Sequence, residues 1–185
     1  MTKTNPIRTH LSDVSRDAVA ADLQSTAFEL IDLALKGKQL HWNVVGPRFH
    51  SVHELLDTLI DAQRAWGDMT AERITAIGRA AQGEARDVMG GSPLPELPKG
   101  YLADDTAVEL QSRNISIVTE RLRERVERVS QLDPASEDLL IEVLRGLEKQ
   151  SWMLQALSSD AADRFNARPT SKGTSARPHQ VRASA

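Results

Sequence analysis

The chain has 185 residues, 40% of them hydrophobic and 26% charged, which is enough apolar material for one core and one domain. It contains no cysteine, so disulfides, thiolate metal sites and cysteine nucleophiles are excluded, and any bound metal would be held by nitrogen and oxygen. The formal charge of -3 is unevenly spread: residues 1–12 carry two cations and residues 166–185 carry four, neither end carries an acid, and the body between has nine more acids than bases.

The N-terminus has no apolar signal-like core, and nowhere do about 18 apolar residues run together. The expectation is a cytoplasmic protein with no membrane span. A basic segment, residues 1–15, is expected to be flexible. The first helix is predicted from about Arg16 to Asn43, with Val19, Leu23, Ala27 and Leu30 on one face and Ser12, Asp13 or Ser15 as N-cap. The "VGP" at 45–47 stops it. A second helix, about Phe49 to Ile77, places Val52, Leu55, Leu56, Leu59, Ile60, Trp66, Ile74 and Ile77 at spacings of three and four, and Gly78 closes it.

Residues from about Arg79 to Ala103 hold three of the eight prolines and four of the ten glycines, which suits a long connection with one short helix near Glu84 to Met89. The third long helix, about Thr106 to Gln131, turns Leu110, Val118, Leu122, Val126 and Val129 inward. Its charge run "ERLRERVER" reads as a solvated outer face. A fourth opens at "DPASED", with Asp133 as cap and Pro134 at the first helical position, and is predicted to reach about Phe165. The remainder, 166–185, is small, polar and basic, and reads as a disordered tail. Four helices of roughly 26 to 31 residues with one long crossover match an all-α, ferritin-like four-helix bundle over residues 16–165.

Five residues suggest chemistry. His53, Asp57, Asp68 and Glu72 leave the second helix at angles of about 0°, 40°, 60° and 100°, so they share one face. His53/Asp57 and Asp68/Glu72 each have the i,i+4 spacing that lets one turn grip a single ion. The pairs lie some 16 Å apart along the axis, too far to share a metal within one chain. An antiparallel two-fold pairing of this helix near Ala62 and Gln63 would bring the first pair of one subunit to the second pair of its neighbour, with His41 completing the histidine half. Two imidazoles and three carboxylates without sulfur suit iron(II), manganese or zinc. The competing account is a scatter of surface charges and cap residues. No E-x-x-H occurs, which speaks against an intrabundle di-iron site, and "HSVHE" is not the HExxH of a zinc protease.

The stretch "KQLHWNVVGPRFHSVHELLD" followed by "WGDMTAER" resembles the signature of the Dps family, the miniferritins known as DNA-binding proteins from starved cells. The motif is H-W-N-V-x-G-P-x-F-x-x-x-H-x-x-x-D, then D-x-x-x-E-R, within a match spanning roughly residues 16–165. The resemblance implies a homododecamer of 23 symmetry built from two-fold dimers. It implies oxidation of iron(II), preferentially by hydrogen peroxide, at ferroxidase centres between subunits, and storage of a ferric mineral with no organic cofactor. Carried over by position, His41, His53 and Asp57 match ligands from one subunit, and Asp68 and Glu72 those from its neighbour. Asp138 matches an aspartate of an acidic three-fold pore, with Asp133 as a further pore candidate that helix capping also explains. Trp42 adjoins His41 and Trp66 is close to Asp68 on the same helix; the resemblance implies that such tryptophans can absorb oxidising equivalents near the centre, and buried packing is the other reading.

The tail cations Arg168, Lys172, Arg177 and Arg182 could contact DNA phosphates without sequence preference, which would associate the protein with the nucleoid. Other classes are a nucleoid-compacting structural protein with little ferroxidase activity, and a zinc hydrolase, for which no nucleophile is evident.

Overall fold

A computed structural model of the chain describes residues 7, 9–158 and 160–166. The element order is α1 (Asp13–Asn43), β1 (Val44–Val45), α2 (Phe49–Ala76), α3 (Ala85–Gly91), β2 (Leu102–Ala103), α4 (Asp104–Ser130), α5 (Pro134–Ala156) and α6 (Ala161–Asn166). The helix α1 begins three residues before the predicted Arg16, because Ser12 caps it by accepting from the Ser15 amide at 3.1 Å. Asp13 to Ser15 therefore belong to the bundle rather than to the N-terminal segment.

The helices α1 and α2 form one hairpin and α4 and α5 the other, and the two hairpins close on a shared core. Leu23, Leu30, Leu56, Ile60, Leu122 and Leu147 are all fully buried, each contributing about 1.5–3 kcal/mol relative to exposure. Between the hairpins runs the long crossover, whose α3 lies so close on α1 that a Cβ at Gly91 would sit 2.2 Å from the Phe28 ring. The crossover ends in β2, which pairs parallel with β1, Val44 opposite Leu102 and Val45 opposite Ala103. Parallel strands cannot be joined by a tight turn, and here α2 and the crossover together make the connection. It sets the start of α4 beside the start of α2.

Arg48 fastens that junction. Its backbone amide donates to Asp104 Oδ2 at 2.8 Å, and its guanidinium donates to Asp104 Oδ1 at 2.8 Å, to Asp105 Oδ1 at 2.5 Å and to the Leu157 carbonyl at the end of α5. The guanidinium holds the Asp104 carboxyl below the usual carboxylate range. Gly46, at φ +136°, leaves room for this contact, since a Cβ there would meet Asp104 Oδ2 at 2.7 Å.

The charge run on α4 is only partly a solvated face. Arg125 is turned inward, 2% exposed, and its two terminal nitrogens donate to Glu29 at 2.6 Å each, while Arg121 Nε reaches the same carboxylate at 2.6 Å. Glu29 is fully buried. On the opposite side of the core, Gln63 Nε2 donates to Gln150 Oε1 at 2.7 Å, and Gln150 Nε2 to the Leu59 carbonyl at 3.1 Å. The fourth long helix stops at Ala156, short of the predicted Phe165, and the chain resumes helix only at Ala161.

Candidate metal centre

His41 closes the last turn of α1 and His53 lies in the first turns of α2, so the tight connection between them brings the two rings together. The rings stack, with centroids 3.6 Å apart and planes 21° from parallel. His41 Nδ1 is 2.9 Å from the His53 carbonyl, and His53 Nδ1 is 3.0 Å from the His41 carbonyl. A carbonyl can only accept, so each Nδ1 carries the proton and donates. Among the described residues neither Nε2 has a protein partner. This reciprocal bonding is the arrangement that orients a ligating imidazole: one nitrogen donates to the protein and the other presents its lone pair.

Asp57, one turn beyond His53, places Oδ1 3.2 Å from His41 Nδ1 and also receives the Lys38 ammonium. The Lys38 hydrogen bond, more than the charges of the histidines, draws the Asp57 carboxyl below its ordinary range. Asp57 is 45% exposed while the His41 side chain is 7% exposed, so the group opens outward from a buried base.

Asp68 and Glu72 lie farther along α2, exposed and without ion pairs among the described residues. The chain thus gathers His41, His53 and Asp57 at one place and leaves Asp68 and Glu72 at another. Among the described residues no three His, Asp or Glu side chains converge on a point that could hold an ion. Beside the second pair runs a largely apolar cleft between α1 and α2, lined by Ile31, Ala34, Leu35, Gly67 and Ala71, with Arg64 and Asp68 also on its wall. A separate cleft between α4 and α5, around Glu109, Ser112 and Arg113, contains none of these residues.

The other sequence candidates fall differently. Trp42, next to His41, is 68% exposed, so packing within the chain does not account for it. Trp66 faces away from Asp68, against α5, where a Cβ at Gly146 would lie 2.2 Å from its ring; it is a packing residue within the chain. Asp133 is buried, receives Arg73 at 2.6 Å and the Ser136 hydroxyl at 2.5 Å, and makes no side-chain cap bond to the helix backbone. Burial raises its pKa, but Ser136 and Arg73 override this and leave the net shift downward. Its carboxylate is a latch between α2 and α5, turned into the chain. Asp138 is exposed. Arg168, Lys172, Arg177 and Arg182 lie outside the described residues. Lys38 was not apparent from sequence; its signal was its position three residues before His41, one turn back on α1.

Residues 20–162 match the ferritin-like domain, which agrees with the four-helix bundle and its crossover. The chain is 36% identical over 134 residues to DNA protection during starvation protein 2 of Deinococcus radiodurans, covering 72% of this chain but only 56% of that relative's length. It is 34% identical over 155 residues to DNA protection during starvation protein of Mycolicibacterium smegmatis, covering 79% of this chain and 80% of that one. A solved structure of Mycobacterium smegmatis Dps superposes with a TM-score of 0.79 at 31% identity, covering 84% of this chain and 93% of the other. The molecule is therefore a ferritin-like helical bundle. Within that class, the chain belongs to the Dps family, whose general setting is iron storage and DNA protection. No helix among the described residues is long and apolar enough to cross a membrane.

Proposed function

We propose that the protein oxidises iron(II) at centres shared between two subunits and stores the ferric product inside a homododecameric shell. The observation that carries this reading is the pair of stacked imidazoles, each fixed through Nδ1 with Nε2 unpartnered, beside Asp57. His41, His53 and Asp57 would supply one subunit's share of the ligands for the ferrous substrate, and Asp68 and Glu72 of the neighbour would complete the site across the two-fold axis. Neutral imidazoles suit the ferrous ion, and hard carboxylate oxygens favour the ferric product. Lys38 neutralises Asp57 before iron arrives and gives way to the cation.

Hydrogen peroxide is the preferred oxidant in this reading. Two iron(II) ions each give one electron, the O–O bond breaks, and both oxygens leave as water or hydroxide, so no hydroxyl radical is released. Trp42, exposed beside His41, stands where it could intercept a stray oxidising equivalent. Asp138, exposed near the start of α5, is the candidate for an iron entry pore. Anaerobic loading with iron(II) followed by peroxide is expected to consume two irons per peroxide. The ferric product should stay soluble and protein-bound, and a spin trap should detect no hydroxyl radical. A one-to-one stoichiometry with radical release would contradict the reading.

The basic tail supports a second role, DNA binding through phosphates and with it association with the nucleoid in the cytoplasm. Arg168, Lys172, Arg177 and Arg182 carry the charge, and twelve tails on one particle would act together. DNA retention in a gel is expected to weaken steeply between about 50 and 200 mM salt and to vanish on removal of residues 167–185. Retention unaffected by that deletion would remove the tail from the account.

A further inference from the structure

We propose that Arg64 pairs with Asp61 of the partner subunit, twice per dimer, and that these two ion pairs set the register of the shared metal centre. The proposal rests on the two-subunit reading above and assigns residues that the ligand set leaves idle. If Asp57 meets the partner's Asp68 and His53 meets the partner's Glu72, the antiparallel register of the two α2 helices is fixed. Four residues on from Asp57 is Asp61, and four residues back from Asp68 is Arg64. The same register therefore sets Asp61 opposite the partner's Arg64, and by symmetry Arg64 opposite the partner's Asp61.

Direction and environment agree with this placement. Asp61 and Arg64 leave α2 at about +40° and about -20° from Asp57, inside the sector that carries the ligands. Both are exposed, and among the described residues neither takes part in an ion pair or a side-chain hydrogen bond, even with the other at i,i+3. Other arginines of the bundle, such as Arg48, Arg73, Arg121 and Arg125, are anchored by carboxylates of their own chain. Arg64 instead lies on the wall of the apolar cleft with Gly67 and Ala71, whose small side chains let a second helix approach. Covering the cleft with another copy would withdraw both charges from water and make their pairing matter more than on an open surface.

Neither residue is a metal ligand in this account; both act by position. Asp61→Arg alone and Arg64→Asp alone each place like charges opposite one another at two contacts per dimer. Each is expected to raise the dimer dissociation constant about tenfold or more. Both should also weaken cobalt(II) binding, read from its visible absorbance as a redox-inert probe of the shared site. Mixing the two single variants restores opposite charges at both contacts, as does the double swap within one chain, so native mass spectrometry should show the mixed dimer preferred and the cobalt spectrum recovered. Wild-type dimerisation and cobalt binding by both single variants would overturn the proposal. So would losses that neither mixing nor the double swap repairs. If the single variants behave as wild type while ligand-deficient subunits still complement each other, the pairing fails and the shared centre stands; if complementation fails too, the two-subunit reading falls with it.

Discussion

His53→Ala and Glu72→Ala, made separately, are each expected to slow peroxide-driven iron(II) oxidation roughly 100-fold or more, although the two side chains lie in different places on one chain. Replacing even the groups that orient a metal ligand typically costs 10–100-fold, and a ligand itself should cost at least as much. Neither change should unfold the bundle. Glu72 is exposed, and His53 bonds the His41 carbonyl at the end of a hairpin whose core lies elsewhere. Stopped-flow ferric absorbance with circular dichroism on the same samples separates lost chemistry from lost fold. Loss with His53→Ala but none with Glu72→Ala would mean that the carboxylate half takes no part.

The second large effect concerns stability. Arg125→Met is expected to cost about 3–5 kcal/mol, because it removes the bidentate partner of a fully buried carboxylate. Arg121 remains hydrogen-bonded to Glu29 but is 46% exposed at its side chain, so it screens the charge only in part. The double variant Glu29→Leu, Arg125→Met removes both charges and should recover most of the loss, since well-packed apolar replacements of buried ion pairs are often neutral or stabilising. Urea denaturation of the two proteins at one concentration checks this. A double variant as unstable as the single would show that shape, not charge, sets the cost.

The helices were readable because Val19, Leu23, Leu30 and their counterparts recur at threes and fours over many turns, and burial follows that period. That His41 and His53 meet was readable, because the connection from α1 to α2 is too short to separate them, and their rings do stack. Arg125 was misread as solvent-facing. Its spacing of three from Leu122 and four from Val129 put it on the core face, but only Glu29, distant in sequence, makes that burial tolerable. Two-residue strands carry no alternation to detect, so β1 and β2 were invisible. The break after Ala156 hides in a polar stretch, Ser158 to Asp160, that a helix or a turn could accommodate equally. For Asp133 the sequence offers a cap or a pore residue, and it cannot reveal Arg73, 60 residues away, drawing the carboxylate inward.

If each centre takes ligands from two chains, subunits with complementary defects should repair one another on mixing. Two inactive proteins, His53→Ala and Asp68→Ala with Glu72→Ala, are dissociated together, reassembled at equal concentration, and assayed for iron(II) oxidation. A mixed dimer keeps one site with every ligand present and one with both halves broken. Random pairing should therefore restore about a quarter of the wild-type sites, and about that share of its rate. No recovery, with subunit exchange demonstrated by native mass spectrometry, would contradict the shared centre.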